Sequence, residues 1–399
     1  MKTTAVKSNL PTKWVIKTIG ELCDVARGGS PRPIKSFITA DPDGINWIKI
    51  SDATASGKYI YKTEQKIKPE GVSRSRFVKP NDFLLSNSMS FGKPYILKTS
   101  GCIHDGWLVL SDKKGEFKQD YLYHYLSSSQ AYSQFDNLAA GSTVRNLNTD
   151  AVRKVKVPIP PLAEQERIVS ILDEAFAAIE TATANAEKNL QNARELFQSV
   201  LQDTFSKKGD DWVEVTLGEI GPVSMCKRVL KKQTTPTGEI PFFKIGTFGK
   251  EPDAYISRNL YEDYLKKYAF PKPGDILISA SGTIGRRVIY DGEPAYFQDS
   301  NIVWLDNPEK IISNKLLFHF YGICKWNASK GATIARLYND DLRRIRLCVP
   351  PFHTQQAIVK KLDSLSEETR RLVSIYQRKK AALAELKQSL LQKAFTGQL

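Results

Sequence analysis

The 399-residue chain has little of what marks a metalloprotein, a disulfide scaffold or a membrane protein. Its five cysteines, Cys23, Cys102, Cys226, Cys324 and Cys348, are scattered, odd in number and free of CxxC spacing. That argues against a zinc finger and against a disulfide framework, and leaves reduced residues of core or surface. The four histidines, His104, His124, His319 and His353, form no ligand-spaced cluster. No apolar run approaches ~20 residues and Met1 to Leu10 holds no apolar signal, so a cytoplasmic protein with no membrane association is expected. Neither a Gly-x-Gly-x-x-Gly nor a Gly-x4-Gly-Lys-Ser/Thr motif occurs, so no dinucleotide site and no P-loop is signalled. Val349-Pro350-Pro351-Phe352 has the outline of an amino-methyltransferase motif. It carries Val where Asn or Asp would accept a hydrogen bond from the target amino group.

What the chain does have is positive charge and a repeat. A net charge of +15 and a pI near 9.4 suit a polyanionic partner, with nucleic acid the leading candidate. The basic residues are spread among aromatics and glycines rather than along one amphipathic helix, which suits a lipid surface less well. Gly141 to Phe205 reappears without a gap as Gly331 to Phe395, sharing Asp150 with Asp340, Arg153 with Arg343, Pro160-Pro161 with Pro350-Pro351 and Gln165 with Gln355. Weaker echoes extend it backwards. Thr18 and Gly20-Glu21 match Thr216 and Gly218-Glu219, Lys79 to Ser86 matches Lys272 to Ser279, and His104-Asp105 matches Gln298-Asp299. A unit of half the chain occurring twice is a tandem duplication, not a solenoid. At about 150 residues per domain, two domains plus connecting elements fit the length.

Each half opens with short apolar runs broken by turn residues, such as Trp47-Ile48-Lys49-Ile50, Phe83-Leu84-Leu85 and Gly106 to Leu110, which read as strands. Asp120 to Phe135 reads as one helix among them. From Leu162 to Phe205, apolar residues recur at three- and four-residue steps behind Pro160-Pro161, and the same texture returns from about Thr354 to Phe395. The expected fold is therefore α+β: two homologous mixed α/β domains separated by two long helices that pair as an antiparallel coiled coil about a pseudo-two-fold axis. The alternative folds each helix back on its own domain. Two matched helices of roughly 43 residues, threefold the mean length, favour pairing. The boundaries fall at 1–161, 162–206, 207–351 and 352–399. Each helix spans roughly 65 Å at ~1.5 Å per residue, enough to address two major-groove sites ~34 to 36 Å apart on one face of B-DNA.

Gly28-Gly29-Ser30-Pro31 with Gly44 to Ile48, Gly274 to Gly285, and Pro160-Pro161-Leu162-Ala163-Glu164-Gln165 occur in an order that resembles the DNA specificity subunits of type I restriction-modification enzymes, over nearly the whole chain. Copy two departs from this, having Phe352-His353-Thr354-Gln355 with no counterpart of Glu164. The resemblance implies a non-catalytic reader of a bipartite double-stranded DNA target. It also implies two target recognition domains, spacer helices holding two methyltransferase subunits, and motor-nuclease subunits that join for cleavage. No cofactor is expected in this chain; S-adenosylmethionine, ATP and Mg²⁺ would sit on the partners.

Within that frame, Arg27, Arg32, Lys49, Asn87, His104, Arg145 and Asn146 are the candidate DNA contacts of the first domain. Lys227, Arg228, Lys244, Ser281, Arg286, Gln298 and Arg336 are those of the second. Phe176, Phe197, Phe205, Tyr376 and Phe395 are candidates for partner docking, or for packing on their own domains. Two other functions compete: an autonomous Mg²⁺-dependent nuclease built on Asp43, Glu64 and Lys66, and a coiled-coil adaptor that ignores DNA. The duplication generates a direct expectation. Exchanging residues 14–145 for those of another family member should change one half of the recognised sequence and leave the other unchanged, as read by methylated-site mapping; a change in both halves would defeat independent reading.

Overall fold

The computed structural model describes residues 10–54, 57–87, 91–139, 146–207, 209–326 and 336–399. They form two compact units, one made of Met1–Ala186 with Arg378–Leu399 and the other of Glu187–Gln377. Each division point lies inside a long helix.

In the first unit the fully buried runs become the central strands. Phe83–Ser86 and Pro94–Leu97 pair antiparallel, and Trp107–Asp112 joins Phe83–Ser86 to Cys23–Arg27 in a five-stranded sheet. A second five-stranded sheet sets Ile45–Ile48 parallel to Gly101–Ile103. The second unit repeats the plan with less strand. Ile276–Ser279 is central to a four-stranded sheet, and Ile240–Phe243 runs parallel to Tyr296–Phe297, as its aligned counterpart does in the first unit. The helix expected over Asp120 to Phe135 is two helices, Gln119–Leu126 and Ser129–Ala139. The break falls where the buried Ser128 hydroxyl accepts from the Ala131 N–H at 3.2 Å and donates to the Tyr125 carbonyl at 2.6 Å. Side-chain bonding of this kind competes with the helix and starts a new one.

A two-stranded ribbon precedes the long helix in both units, Val15–Thr18 with Lys156–Ile159 and Val213–Thr216 with Arg346–Val349. In each, a threonine and a glutamate form a capping box, Thr18 with Glu21 and Thr216 with Glu219. The glycine between them lets an arginine pack closely. A Cβ on Gly20 would lie 3.1 Å from Arg153 Cβ, and one on Gly218 would lie 3.2 Å from Arg343 Cβ. The repeated Gly and Arg are thus one packing contact used twice.

The long helices are Leu162–Ser206 and Phe352–Thr396. In the first unit, Ile168 and Leu172 near the start of one share a core with Leu391, Ala394 and Phe395 at the end of the other. In the second unit, Phe205 at the end of the first helix packs into the same core as Ile358 and Val359 near the start of the second. Start meets end in both, which is antiparallel pairing. Leu172, Ile179, Ala186 and Ala193 are buried at seven-residue steps, the spacing of a coiled-coil seam. Leu386, an apolar residue of the second long helix, is exposed. No helix of the described residues is long and apolar enough to cross a membrane.

What fastens each long helix to its domain is a buried glutamine. Gln165 Oε1 accepts from the Lys118 N–H at 2.7 Å, while its Nε2 donates to the carbonyls of Glu116 and Pro160 at 3.1 and 2.9 Å. Gln355 does the same with Ser313, Ile311 and Pro350 at 2.8, 2.8 and 3.1 Å. About two turns on, the helix carboxylates Asp173 and Asp363 accept from the buried imidazoles of His124 and His319 at 2.8 and 2.7 Å. Burial holds both imidazoles below the usual histidine range although the carboxylates pull the other way, and each faces its carboxylate with Nε2. Glu164 only pairs with Arg167 on the helix surface, so its absence from copy two leaves the helix start unchanged. The five cysteines are free, and burial pushes the Cys23 and Cys226 thiols up to about 12.

Gln165→Ala should cost about 1–3 kcal/mol in urea denaturation, because it leaves the buried Pro160 carbonyl, the Glu116 carbonyl and the Lys118 N–H without their partner. Glu164→Ala should cost no more than about 0.5 kcal/mol. Equal losses would show that the amide is not the fastener.

Candidate nucleic-acid interface

In the first unit, the turn between Gly101–Ile103 and Trp107–Asp112 gathers residues from three distant stretches of sequence. Its centre is Asp105. The Asp105 carboxylate accepts from the Ser30 hydroxyl at 2.8 Å and from the Arg32 guanidinium at 3.2 Å. Its carbonyl accepts from Arg27 Nε at 3.1 Å and Asn87 Nδ2 at 2.9 Å. The Leu147 N–H donates to the Asn87 carbonyl at 2.9 Å, which brings exposed Asn146 to the same place. Arg27, Arg32 and Asn146 are exposed and can meet a ligand. Asn87 is buried and its amide is committed to Asp105, so the expectation that it touches DNA is corrected: it supports the turn from beneath. The His104 ring is turned inward, its Nδ1 facing the Gly106 N–H at 2.7 Å and its Nε2 the Ile50 N–H at 3.3 Å, and burial holds it below the usual histidine range. Lys49 pairs with Glu64 at 3.4 Å. Arg145 lies outside the described residues.

The second unit has a cleft of about 550 Å³ at the aligned place, lined by Arg228, Lys231, Lys244, Gln298, Asp299 and Arg336 among others. Four of the seven expected residues, Arg228, Lys244, Gln298 and Arg336, converge there. The Leu337 N–H donates to the Ala280 carbonyl at 2.8 Å, the counterpart of the Leu147 tie, and so carries Arg336 to the cleft as Asn146 is carried in the first unit. Gln298 Oε1 accepts from the Ile245 N–H at 2.9 Å and pins the cleft floor. Lys244 pairs with Asp253 at 2.8 Å, and Arg336 donates to the Ser300 carbonyl at 3.3 Å. Ser281 is buried and donates to Asn301 Oδ1 at 2.7 Å, which corrects its assignment as a base-reading residue. Arg286 donates to the Phe248 carbonyl at 2.8 Å, and Lys227 lies over the Tyr268 ring at 4.9 Å; neither lines the cleft.

Sequence reasoning missed Ser30, Lys231, Asp105 and Asp299. The one signal for the two acids was their alignment with each other in the repeat.

Two of the three residues of the nuclease alternative, Asp43, Glu64 and Lys66, have partners outside the trio. Glu64 is held by Lys49, and Lys66 Nζ donates to the Pro42 carbonyl at 2.5 Å. Among the described residues no three His, Cys, Asp or Glu side chains converge to hold a metal. Of the aromatic residues on the long helices, Phe395 is buried edge-on against Tyr121 and Tyr125, so it is core and not a docking residue. Phe205 packs edge-on against Phe320 and Phe176 against His124, each keeping part of its ring exposed, while Phe197 and Tyr376 are half-buried.

Residues 11–189 and 209–380 each match the type I restriction modification DNA specificity domain. The chain is 46% identical over 260 residues to a putative type I restriction enzyme specificity subunit of Haemophilus influenzae, covering 64% of this chain and 66% of that one. It is 23% identical over 420 residues to the MjaIX specificity subunit of Methanocaldococcus jannaschii, covering 98% and 94%. In fold it is similar to a chain from a type I restriction-modification system studied for its complex assembly and conformational transition. The TM-score is 0.82 at 20% identity, over 98% of this chain and 99% of that one. The HsdS subunit from Thermoanaerobacter tengcongensis follows, with a TM-score of 0.60 at 20% identity over 98% of both.

If the second cleft holds a phosphate backbone, replacing Arg228, Lys244 and Arg336 together by Ala should lower the slope of log affinity against log salt by about 2 to 3, at ~0.9 per lost phosphate contact. DNA retardation across a salt series measures it. An unchanged slope would remove the cleft from the interface.

Proposed function

Because the chain belongs to the type I restriction-modification DNA specificity family, with a specificity domain matched in each half, we propose that it is the non-catalytic subunit that reads a split DNA target, one part per unit. The observation that carries this is the recurrence of one device. In each unit a leucine N–H bonds to the carbonyl just past the end of a central strand, and the residue before that leucine, Asn146 or Arg336, joins basic groups delivered by other segments. Exposed guanidinium and amide groups of this kind suit base edges and phosphates. In this reading residues 1–161 and 207–351 are the recognition domains and 162–206 and 352–399 the spacer helices.

The partially exposed aromatic faces of the helices, at Phe176, Phe197, Phe205 and Tyr376, are where two methyltransferase subunits dock, with motor-nuclease subunits joining for cleavage. S-adenosylmethionine belongs to the methyltransferases, and ATP and Mg²⁺ to the motor-nuclease. The +15 net charge favours long-range attraction to DNA and leaves sequence choice to the two loop clusters.

Genome-wide mapping of methylated adenine in a host carrying the partner methyltransferase, with and without this chain, tests the proposal. A two-part motif that disappears with the chain is expected. An identical methylation pattern in its absence would overturn the reading.

A further inference from the structure

An acid at the centre of a surface meant for a polyanion needs an explanation. Asp105 stands between two exposed guanidiniums, and its carboxylate would repel any phosphate that approached them. The repeat keeps this acid while its surroundings change. His104-Asp105 aligns with Gln298-Asp299, and Asp299 lines the second cleft beside Arg228, Lys244 and Arg336. The preceding residue has the inward task in both units, facing a main-chain N–H with a ring nitrogen in one and an amide oxygen in the other. The aspartate is therefore the retained chemical element of the surface.

Its bonds show what it does in the first unit. Two acceptor sites on the carboxylate and one carbonyl hold Ser30, Arg32, Arg27 and Asn87 in a single arrangement. Arg32 is 79% exposed in its side chain and would otherwise sample many rotamers. A guanidinium held at one edge by a carboxylate presents its remaining N–H groups in a fixed fork, the geometry that pairs with a guanine edge. The same negative charge weakens binding to a phosphate, which any sequence supplies. Specificity is a difference of affinities, and a group that penalises the common contact raises it.

We infer that Asp105 is a positioning and specificity-determining residue, its carboxylate aiming Arg32 at a base edge and disfavouring sequence-independent phosphate contact. The inference rests on the proposed DNA-reading role.

The test compares Asp105→Asn with the double variant Arg27→Ala, Arg32→Ala in the full chain assembled with its methyltransferase. Binding is measured to target DNA, to DNA altered in either half-site, and to unrelated DNA, across a salt series. Asp105→Asn retains the Asp105 carbonyl and its bonds to Arg27 and Asn87, so the turn should persist. Its affinity for unrelated DNA should rise about 3- to 10-fold, with a salt slope steeper by about one. Discrimination against changes in the first unit's half-site should fall at least about 10-fold, the worth of one good base contact. Discrimination at the other half-site should be unchanged. A uniform loss of affinity, or intact discrimination in Asp105→Asn while the arginine variant loses target binding, overturns this inference alone. Full DNA binding by the arginine variant overturns both the inference and the reading of the first unit's surface.

Discussion

A single buried amide makes the relation between each long helix and its domain definite. Gln165 and Gln355 are almost wholly excluded from solvent, and each makes three hydrogen bonds that join the first helical turn, the proline pair before it and the loop leading to a domain helix. A buried primary amide is tolerated only when its donors and acceptor are matched, so this geometry admits little slack. The neighbouring His–Asp pairs, His124 with Asp173 and His319 with Asp363, extend the same fastening along the helix. With the helix direction set in this way, the apolar seam is presented to the other helix, and start pairs with end within each unit.

The loop clusters follow a different logic. Helix attachment is the same in both copies down to individual atoms, whereas the basic surfaces share only a frame: a central strand, a leucine tie and one aspartate. A surface that selects among DNA sequences has to differ between the halves of an asymmetric target, while the fastening has no reason to differ. The distribution of identity between the repeats mirrors this division, being dense from Gly141 and Gly331 onward and sparse in the loops.

Much of the architecture was legible because it depends on local or repeated pattern. The helix from Leu162 was readable from three- and four-residue apolar steps behind two prolines, and the strands around Phe83 and Trp107 from short apolar runs between turn residues. The single helix expected from Asp120 was wrong because apolar periodicity runs on through Ser127 and Ser128 while the backbone does not. Among site residues, Arg228, Lys244, Gln298 and Arg336 were named from their neighbouring motifs and do converge. Asn87 and Ser281 were chosen for their polarity and are buried, since polarity does not say which way a side chain faces.

The sequence by itself determined the duplication, the alternation of domain and helix, and the residue types available to meet DNA, because these reside in order and periodicity along the chain. Only the tertiary structure decided that Asp105, 75 residues from Ser30 and 73 from Arg32, organises them. It alone decided that Phe395 belongs to the core formed with Tyr121 and Tyr125. Hydrogen bonds and ring contacts of this kind are set by distances in space, and residues so far apart acquire those distances only once the chain has closed on itself.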